Sequence, residues 1–346
     1  MRITAARGIV SLTLVAVIVS ILVVYHNWRS FLHTPLQIDQ AVEYTLKPGT
    51  GFRQFVKDLH DIGVIHQPNY FTVLAYLRGQ INKLQAGEYR FTPNLTPGEL
   101  LDEVVEGKVI QYKFSIIEGW TFQQVMAAIN ANPYMKHELQ DLTQEQIMFQ
   151  LGSTQKTAEG NFYPDTYYFT RNKTDVELLK RAYQKMQQDL TSIWQNRSSL
   201  LPYTDPQQAL IVASLIEKES AIPSERPLIA GIILNRLEKH MPLQIDASII
   251  FGLGDRYSGK LTKENMKFKT PYNTYVHRGL PPTPIAMPSK QAIEAALHPM
   301  LTNYLYYVAR GDGTHQFSET LKEQNEAVNK YQRRLTVQAP TNVTPN

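Results

Sequence analysis

The segment LIVASLIEKES, which begins at Leu210, most constrains what this chain can fold into. When each residue is advanced by 100°, its apolar side chains fall on every side of the helix axis, which predicts a helix buried all round. Such a helix needs a core of other elements around it. With 346 residues, 43% of them hydrophobic, the chain can supply that core in two or three folded units.

This buried helix ends in two glutamates, Glu217 and Glu219, which point to opposite sides. Glu219 lies over large apolar neighbours, and burial there disfavours the charged form of a carboxyl group. The pattern therefore predicts a raised pKa for Glu219 and a general acid. Glu217 is the weaker candidate, because a helix boundary is uncertain by a residue or two. The structural alternative is that either glutamate closes the helix, paired with Lys218, Arg226 or Arg236.

Polar and aromatic residues follow this helix in two clusters. In MPLQIDASIIFGLGDRYSGKL, Gln244 and Asp246 alternate with apolar residues, and TPYNTYVHRGLPPTPIAMPS contains Tyr272, Asn273 and Tyr275. Amides, carboxylates and tyrosine faces suit hydroxyl-rich rings, so these five residues are candidates to bind or shape a sugar groove. The alternative for the tyrosines is core packing, since the chain has 19 of them.

Several other chemistries lack their sequence patterns. The chain has no cysteine, and its histidines form no His-Glu-x-x-His zinc motif, so we expect neither metal nor cofactor. His298 and His315 are isolated, which favours structural roles. Ser220 lacks the Gly-x-Ser-x-Gly elbow, and Gly252-Leu253-Gly254 lacks the dinucleotide spacing. The net charge of +4 contains no long basic run, so nucleic acid is not an expected partner.

The N-terminus contains an uncharged apolar segment, IVSLTLVAVIVSILVVY, over residues 9–25. Its length is at the lower end for a membrane-spanning helix. Arg2 and Arg7 precede it and only Arg29 follows closely, so positive-inside bias predicts a cytoplasmic N-terminus at 1–8. A cleaved signal peptide is the alternative, although no small-x-small cleavage site follows. At the other end, residues 336–346 are predicted to be a disordered tail.

Three stretches share a pattern of strand, turn and amphipathic helix: YTLKPGTGFRQFVKDL from Tyr44, YRFTPNLTPGELLDEVVEG from Tyr89 and YKFSIIEGWTFQQVMAAI from Tyr112. A threonine that can cap the helix follows each turn: Thr50, Thr96 and Thr121. Glu99 and Gln124 complete a capping box in the last two. The pattern looks like the LysM type of glycan-binding module, over residues 40–127. A spacer between membrane and enzyme is the alternative.

Six motifs closely resemble the YceG-like family of endolytic murein transglycosylases. They are EGNFYPDTYYF from Glu159, ASLIEKESA from Ala213, IILNRL from Ile232, LQIDASIIFGLG from Leu243, YNTYVHRGLPPTPIAMPS from Tyr272 and AALHP from Ala295. The likeness runs in matching order from about Tyr44 to Tyr331. Asn161 is a local departure, where an aromatic residue is expected.

The resemblance implies a lyase that cuts nascent peptidoglycan between N-acetylmuramic acid and N-acetylglucosamine and leaves 1,6-anhydro ends. The family's catalytic glutamate precedes a small hydroxyl residue, which corresponds to Glu219 before Ser220. Ser220 is therefore also a candidate substrate-binding residue. The family also implies an inner-membrane protein with its catalytic domain outside the cytoplasm, and it suggests peptidoglycan synthases as candidate partners. Two other functions stay open: a peptidoglycan-binding scaffold that does not cleave, and a lysozyme-like hydrolase.

Together these observations predict an α+β protein with an N-terminal transmembrane helix, a small LysM-like α/β module and a helix-rich, lytic transglycosylase-like catalytic domain. The expected boundaries are 9–25 for the anchor, 40–127 for the module and 156–335 for the catalytic domain. A linker is expected around 128–155.

Overall fold

A computed structural model describes residues 2–333 of the chain, so the predicted tail at 336–346 lies outside the described residues. The structure mixes helices with strands, and the strands found in the described part form three two-stranded sheets. The chain divides into two compact units. Unit 1 holds the described residues up to Tyr112 together with Tyr168–Asn172, and unit 2 holds the rest.

Unit 1 contains four helices and one antiparallel pair of strands. In chain order these are α1 (Arg2–His33), β1 (Val42–Leu46), α2 (Phe52–Asp61), α3 (Pro68–Leu77), β2 (Gly87–Phe91) and α4 (Pro97–Glu106). β1 and β2 pair from Val42 opposite Phe91 to Leu46 opposite Gly87. The predicted strands and the amphipathic helices α2 and α4 are confirmed, whereas the sequence pattern did not indicate α3.

The predicted apolar span at 9–25 lies inside α1, which is longer than the span. Among the described residues, one helix is long and apolar enough to cross a membrane, over Leu12–His33, and none of its most apolar window is buried by protein. The last turns of α1 are different, because Phe31 is buried in the core of unit 1. That packing explains why the helix continues past the predicted end of the span.

Two of the three predicted helix caps are confirmed. Thr96 accepts a hydrogen bond from the backbone of Glu99 and completes a capping box at the start of α4. Thr121 forms the same box with Gln124. The prediction for Thr50 is wrong: α2 begins at Phe52, so its N-cap is Gly51, which has no side chain to accept the bond.

Within the described part of the chain, unit 2 contains nine α-helices, a 3-10 helix at Gly254–Arg256, a π-helix at Asn329–Arg333 and four strands. In chain order the α-helices and strands are β3 (Tyr112–Ser115), α5 (Phe122–Asn130), α6 (Gln144–Gln150), β4 (Thr166–Phe169), α7 (Asp175–Gln195), α8 (Pro206–Glu219), α9 (Arg226–Glu238), α10 (Asp246–Leu253), α11 (Lys263–Lys267), α12 (Lys290–Leu297), β5 (Tyr306–Ala309), β6 (His315–Ser318) and α13 (Leu321–Val328). The four strands include β3, which begins at the boundary of the units, and β4, which crosses it. β3 pairs with β4, and β5 pairs with β6.

The third strand-helix repeat lies in unit 2, although the repeat pattern groups it with the other two. Its helix, α5, is held there by Phe122, which is buried and stacks on Phe162 with ring centroids 5.4 Å apart. The LysM-like character of the module and the sequence-based domain boundaries stay predictions.

The core of unit 2 surrounds α8, as the apolar pattern predicts. Eight consecutive residues of this helix, 209–216, are buried. It packs mainly on α12 and also on α9, α7 and α10. Because α8 is covered on several sides, its two terminal glutamates, Glu217 and Glu219, are carried toward the interior of the unit, whereas Lys218 between them is exposed.

Replacing Phe55 by alanine tests the aromatic core of unit 1. Phe55 is fully buried and contacts the rings of Tyr44, Phe52 and Phe71. We expect Phe55→Ala to lower the free energy of unfolding of this unit by about 3–5 kcal/mol, because it removes apolar contacts and leaves a cavity. Urea unfolding followed by near-ultraviolet circular dichroism measures this. The control Tyr76→Ala, at a 73% exposed position of the same unit, should change it by less than about 0.5 kcal/mol.

Candidate active site

The two glutamates of α8 lie in different surroundings, on opposite sides of the helix. α8 ends at Glu219, and Ser220 is its C-cap with an extended backbone. The helix thus reaches far enough for Glu219 to keep the orientation that the wheel predicts.

Glu217 is held in a buried ion pair. Its Oε1 accepts from Arg226 Nη2 at 3.0 Å, and both side chains are only 6% exposed. Its Oε2 accepts from the backbone nitrogen of Ser289 at 2.9 Å and from Ser289 Oγ at 2.5 Å. Ser289 is also the N-cap of α12. Glu217 therefore joins α8, α9 and α12 and has a structural role in this arrangement.

Within residues 2–333, Glu219 has no ion pair of this kind. Its Oε2 accepts one hydrogen bond from the hydroxyl of Tyr307, at 2.7 Å. Burial raises the pKa of Glu219 above its ordinary value, and the negative charge of Asp246 raises it further, while Tyr307, His315 and Arg236 oppose the shift. A carboxylate at the C-terminal end of a helix is also disfavoured by the helix dipole. The site therefore favours a glutamate that retains its proton to higher pH.

Asp246 and Tyr275, both predicted from sequence, lie in this cluster. Asp246 is the first residue of α10, and its Oδ1 accepts from the hydroxyl of Tyr275 at 2.6 Å. Burial, then the bond to Asp246, raises the pKa of Tyr275, and the charge of Glu219 contributes. Tyr275 is therefore a neutral hydrogen-bond donor beside two carboxyl groups.

Arg236 connects the loop before α10 with the strand that carries Tyr307. Its guanidinium donates to the carbonyl oxygens of Leu305 at 2.6 Å and Leu243 at 2.8 Å and to Gln244 Oε1 at 3.2 Å. Arg236 is 6% exposed, so these bonds replace its lost hydration. Gln244 has a left-handed backbone, with φ of 54°. Arg236 thereby holds the predicted residue Gln244 in an uncommon conformation next to Asp246.

The other three predicted residues lie at the margins of this cluster. Ser220 is buried, and its hydroxyl donates to Glu225 Oε2 at 3.2 Å. Asn273 is fully buried, and its amide nitrogen donates to the carbonyl oxygens of Met266 and Phe268. Those contacts fit a residue that shapes the groove. Tyr272 packs edge-to-face on Phe251, with centroids 4.8 Å apart.

The sequence interpretation missed Tyr307 and gave His315 only a structural role. His315 Nδ1 lies 2.7 Å from Glu225 Oε2, and its backbone nitrogen donates to Glu225 Oε1 at 2.9 Å. Its ring meets Tyr307 edge-on, with centroids 5.6 Å apart. The hairpin of β5 and β6 brings both residues to the end of α8. The Gly-Asp-Gly turn at 311–313 could have indicated this hairpin, but nothing local indicates its contact with Glu219.

A second buried carboxyl group, Glu159, caps a different helix. Both of its oxygens accept from the backbone nitrogen of Phe122, at 3.1 and 3.0 Å, where α5 begins. Burial raises the pKa of Glu159 to about 7. Asn161, the departure from the family pattern, is fully buried and donates to the carbonyl oxygen of Glu159. No group of three or more metal-binding side chains is assembled within residues 2–333.

Comparison with known proteins shows the family of the chain. The sequence model of the YceG-like family matches residues 44–330, which is most of the chain. The chain belongs to the YceG-like family. One relative of this YceG-like chain is an endolytic murein transglycosylase of Bacillus subtilis strain 168, which is 31% identical over 256 residues. The match covers 72% of this chain and 68% of the relative.

Two further comparisons extend the likeness. An endolytic murein transglycosylase of Streptococcus pneumoniae serotype 2 strain D39 is 25% identical over 322 residues. That match covers 82% of this YceG-like chain and 58% of the relative. The crystal structure of a yceG-like protein from Listeria monocytogenes is 26% identical, with a TM-score of 0.53 over 84% of this chain and 99% of that one.

Replacing Tyr307 by phenylalanine tests the hydrogen bond to Glu219 in this YceG-like protein. We expect Tyr307→Phe to raise the pKa of Glu219 further, because the lost hydroxyl stabilises the charged form. Carbon-13 NMR titration of labelled glutamate carboxyl groups measures this, with the Glu219 signal assigned from Glu219→Gln. The control is Tyr306→Phe, which keeps the ring that lies 5.2 Å from the Arg236 guanidinium. An unchanged pKa in Tyr307→Phe would contradict the assignment.

Proposed function

We propose that this YceG-like protein is a lytic transglycosylase, which cleaves peptidoglycan glycan strands between N-acetylmuramic acid and N-acetylglucosamine. The observation that carries the proposal is the buried carboxyl group of Glu219, whose raised pKa favours the protonated form beside Tyr307 and Asp246. The relatives named endolytic murein transglycosylases support the reaction class.

In the first step Glu219 acts as a general acid. Its proton passes to the glycosidic oxygen, and the bond from that oxygen to C1 of the muramic acid breaks. The departing sugar leaves as a free hydroxyl. Burial favours the proton donor, because an uncharged carboxyl group is the form that the site stabilises.

In the second step the same residue acts as a base. The Glu219 carboxylate accepts the proton of the muramic acid's own 6-hydroxyl, and that oxygen bonds to C1 to close the 1,6-anhydro ring. No water is consumed, and Glu219 regains its proton. The Tyr307 hydroxyl and the charges of Arg236 and His315 favour the carboxylate at this stage. Both protonation states of Glu219 thus have supporting neighbours.

The finer features of the function follow from the anchor and the relatives. We infer that α1 anchors the protein in the inner membrane with its N-terminus in the cytoplasm and unit 2 outside. Cleavage within nascent strands would help to terminate glycan elongation, and peptidoglycan synthases are candidate partners at that surface. Gln244, Asp246, Tyr272, Asn273, Tyr275 and Ser220 would bind the glycan or shape its groove.

A lysozyme-like hydrolase is the second candidate, and one observation favours it. Asp246 lies close enough to Glu219 to influence its pKa, so the site contains a second carboxylate. In a two-carboxylate hydrolase that group would act as the nucleophile or activate a water molecule. Asp246 is, however, bonded to the Tyr275 hydroxyl. A scaffold that binds peptidoglycan without cleaving it is the remaining alternative.

Glu219→Gln tests the acid assignment and separates these functions. We expect it to keep the fold and to lower cleavage at least about a hundredfold, because the amide cannot donate the required proton. Mass spectrometry of digested glycan strands gives the readout. Anhydro-muramic ends indicate the lyase, reducing ends the hydrolase and intact strands the scaffold. The control Glu238→Gln, at an exposed helix end of the same unit, should cleave normally.

Glu217→Gln should affect stability and not the chemistry. It breaks the buried pair with Arg226, so we expect the free energy of unfolding to fall on the order of 3 kcal/mol. Products formed well below its unfolding temperature should still carry anhydro ends. If Glu217→Gln is inactive while folded and Glu219→Gln is active, the acid assignment belongs to Glu217.

The pH dependence of cleavage follows from the raised pKa of Glu219. The acid step needs the proton, so the rate falls as pH rises through this pKa. Because burial raises the pKa, that fall should come at a higher pH than an ordinary glutamate would give. A pH profile of kcat/KM on purified glycan strands measures it, and Tyr307→Phe should move the fall to still higher pH. A fall centred near the ordinary value of about 4.3 would contradict the assignment.

A further inference from the structure

Unit 2 contains a cavity of about 490 Å³ whose lining includes Lys218 and Ala247, the chain neighbours of Glu219 and Asp246. The mechanism above does not use this cavity. We call it the α10 chamber and define it by six of its lining residues: Gln124, Gln144, Lys218, Ala247, Ile250 and Phe251. Its volume lies within the range of about 300–1,000 Å³ that is usual for small-ligand sites.

On two helices, a residue that lines the chamber is the chain neighbour of an active-site residue. Lys218 precedes Glu219 at the end of α8, and Ala247 follows Asp246 at the start of α10. Advancing 100° per residue, Asp246, Ile250, Ala247 and Phe251 follow one another around a single face of α10. A polymer that lies over Glu219 and Asp246 can therefore continue along this face.

One wall of the chamber is apolar and well supported. Ile250 and Phe251 supply it, and the ring of Phe251 is held edge-to-face by Tyr272. The hydroxyl of Tyr272 lies 3.0 Å from Thr283 Oγ1, which anchors the pair. An aromatic ring with restricted motion is a suitable surface for the apolar face of a pyranose ring.

Two glutamines of the lining, Gln124 and Gln144, supply amide donors. The side-chain oxygen of Gln124 accepts from the backbone nitrogen of Thr121, and that of Gln144 accepts from the backbone nitrogen of Ala158. These bonds use the oxygen of each amide and orient the NH2 group, which has no hydrogen bond to the rest of the described chain. Oriented NH2 groups suit the oxygen atoms of sugar hydroxyl and N-acetyl groups.

We infer that the α10 chamber is a glycan subsite that holds an N-acetylated sugar ring next to the bond being cleaved. The inference rests on the proposed function. The ring lies against Phe251, and its hydroxyl or N-acetyl oxygens accept from Gln124 and Gln144. Such a subsite would bind the strand beyond the reacting sugars and position the scissile bond at Glu219.

The test measures glycan binding by the full chain in detergent, with Glu219→Gln in every sample to prevent turnover. The probe is a soluble oligomer of alternating N-acetylglucosamine and N-acetylmuramic acid without stem peptides, and calorimetry gives the dissociation constant. Ala247→Trp fills the chamber and should weaken binding at least about tenfold. Gln124→Glu keeps an oxygen for the capping box and removes the amide donor, so binding should weaken about fivefold.

The matched control is Leu200→Trp, which adds the same ring at an exposed position that does not line the chamber. It should bind like the Glu219→Gln parent. Weaker binding by both chamber variants, with the control unchanged, supports the subsite. Unchanged binding by Gln124→Glu and Ala247→Trp overturns it. Binding of free stem peptide is measured in the same way. The subsite is also overturned if the two chamber variants bind stem peptide more weakly but bind the glycan oligomer unchanged.

Cleavage assays separate this inference from the proposed function. With Glu219 restored, an enzyme that forms anhydro ends and keeps its KM in both chamber variants retains the proposed function and loses the subsite. The proposed function and the subsite are both contradicted if the unmodified chain does not cleave glycan and the Glu219→Gln parent does not bind it.

Discussion

The structure of unit 2 depends on the burial of α8, because every polar group that this helix carries into the interior needs compensation. Glu217 receives it from Arg226 and Ser289, which satisfy both carboxylate oxygens. In the described part of the chain, Glu219 has only one hydrogen-bond donor, the hydroxyl of Tyr307. A carboxyl group with so little compensation is more stable with its proton. One helix thus carries a structural anion and, two residues later, a proton donor.

The site is assembled from parts that are distant in the chain. The loop before α10 brings Gln244, and the first residue of α10 is Asp246. The segment after α11 brings Tyr275, and the hairpin of β5 and β6 brings Tyr307. Arg236 holds two of these parts together, since its guanidinium bonds the carbonyl oxygens of Leu243 and Leu305. Burial lowers the pKa of Arg236 but leaves guanidinium protonated at any working pH. A fixed positive charge therefore lies near Glu219 and supports its carboxylate form when the proton has been given away.

Several elements follow from local patterns in the sequence. The apolar spacing of Phe52, Phe55, Val56 and Leu59 places one buried face on α2, and the structure has that face. Thr96 and Thr121 begin their helices because a hydroxyl and a residue three positions later can satisfy the first backbone nitrogens. Thr50 shows the limit of this reasoning. The turn before α2 runs one residue further, and the cap falls on Gly51.

The sequence by itself determined the apolar N-terminal segment, the buried helix and the opposite directions of its two glutamates, because helical periodicity depends only on neighbouring residues. Its motifs also indicated the family. Only the tertiary structure decided which glutamate meets Arg226 and which meets Tyr307, 88 positions along the chain from Glu219. It alone placed Gln124 and Phe251 in the lining of one chamber. Such contacts arise from the packing of whole elements, and no local pattern of residues contains that information.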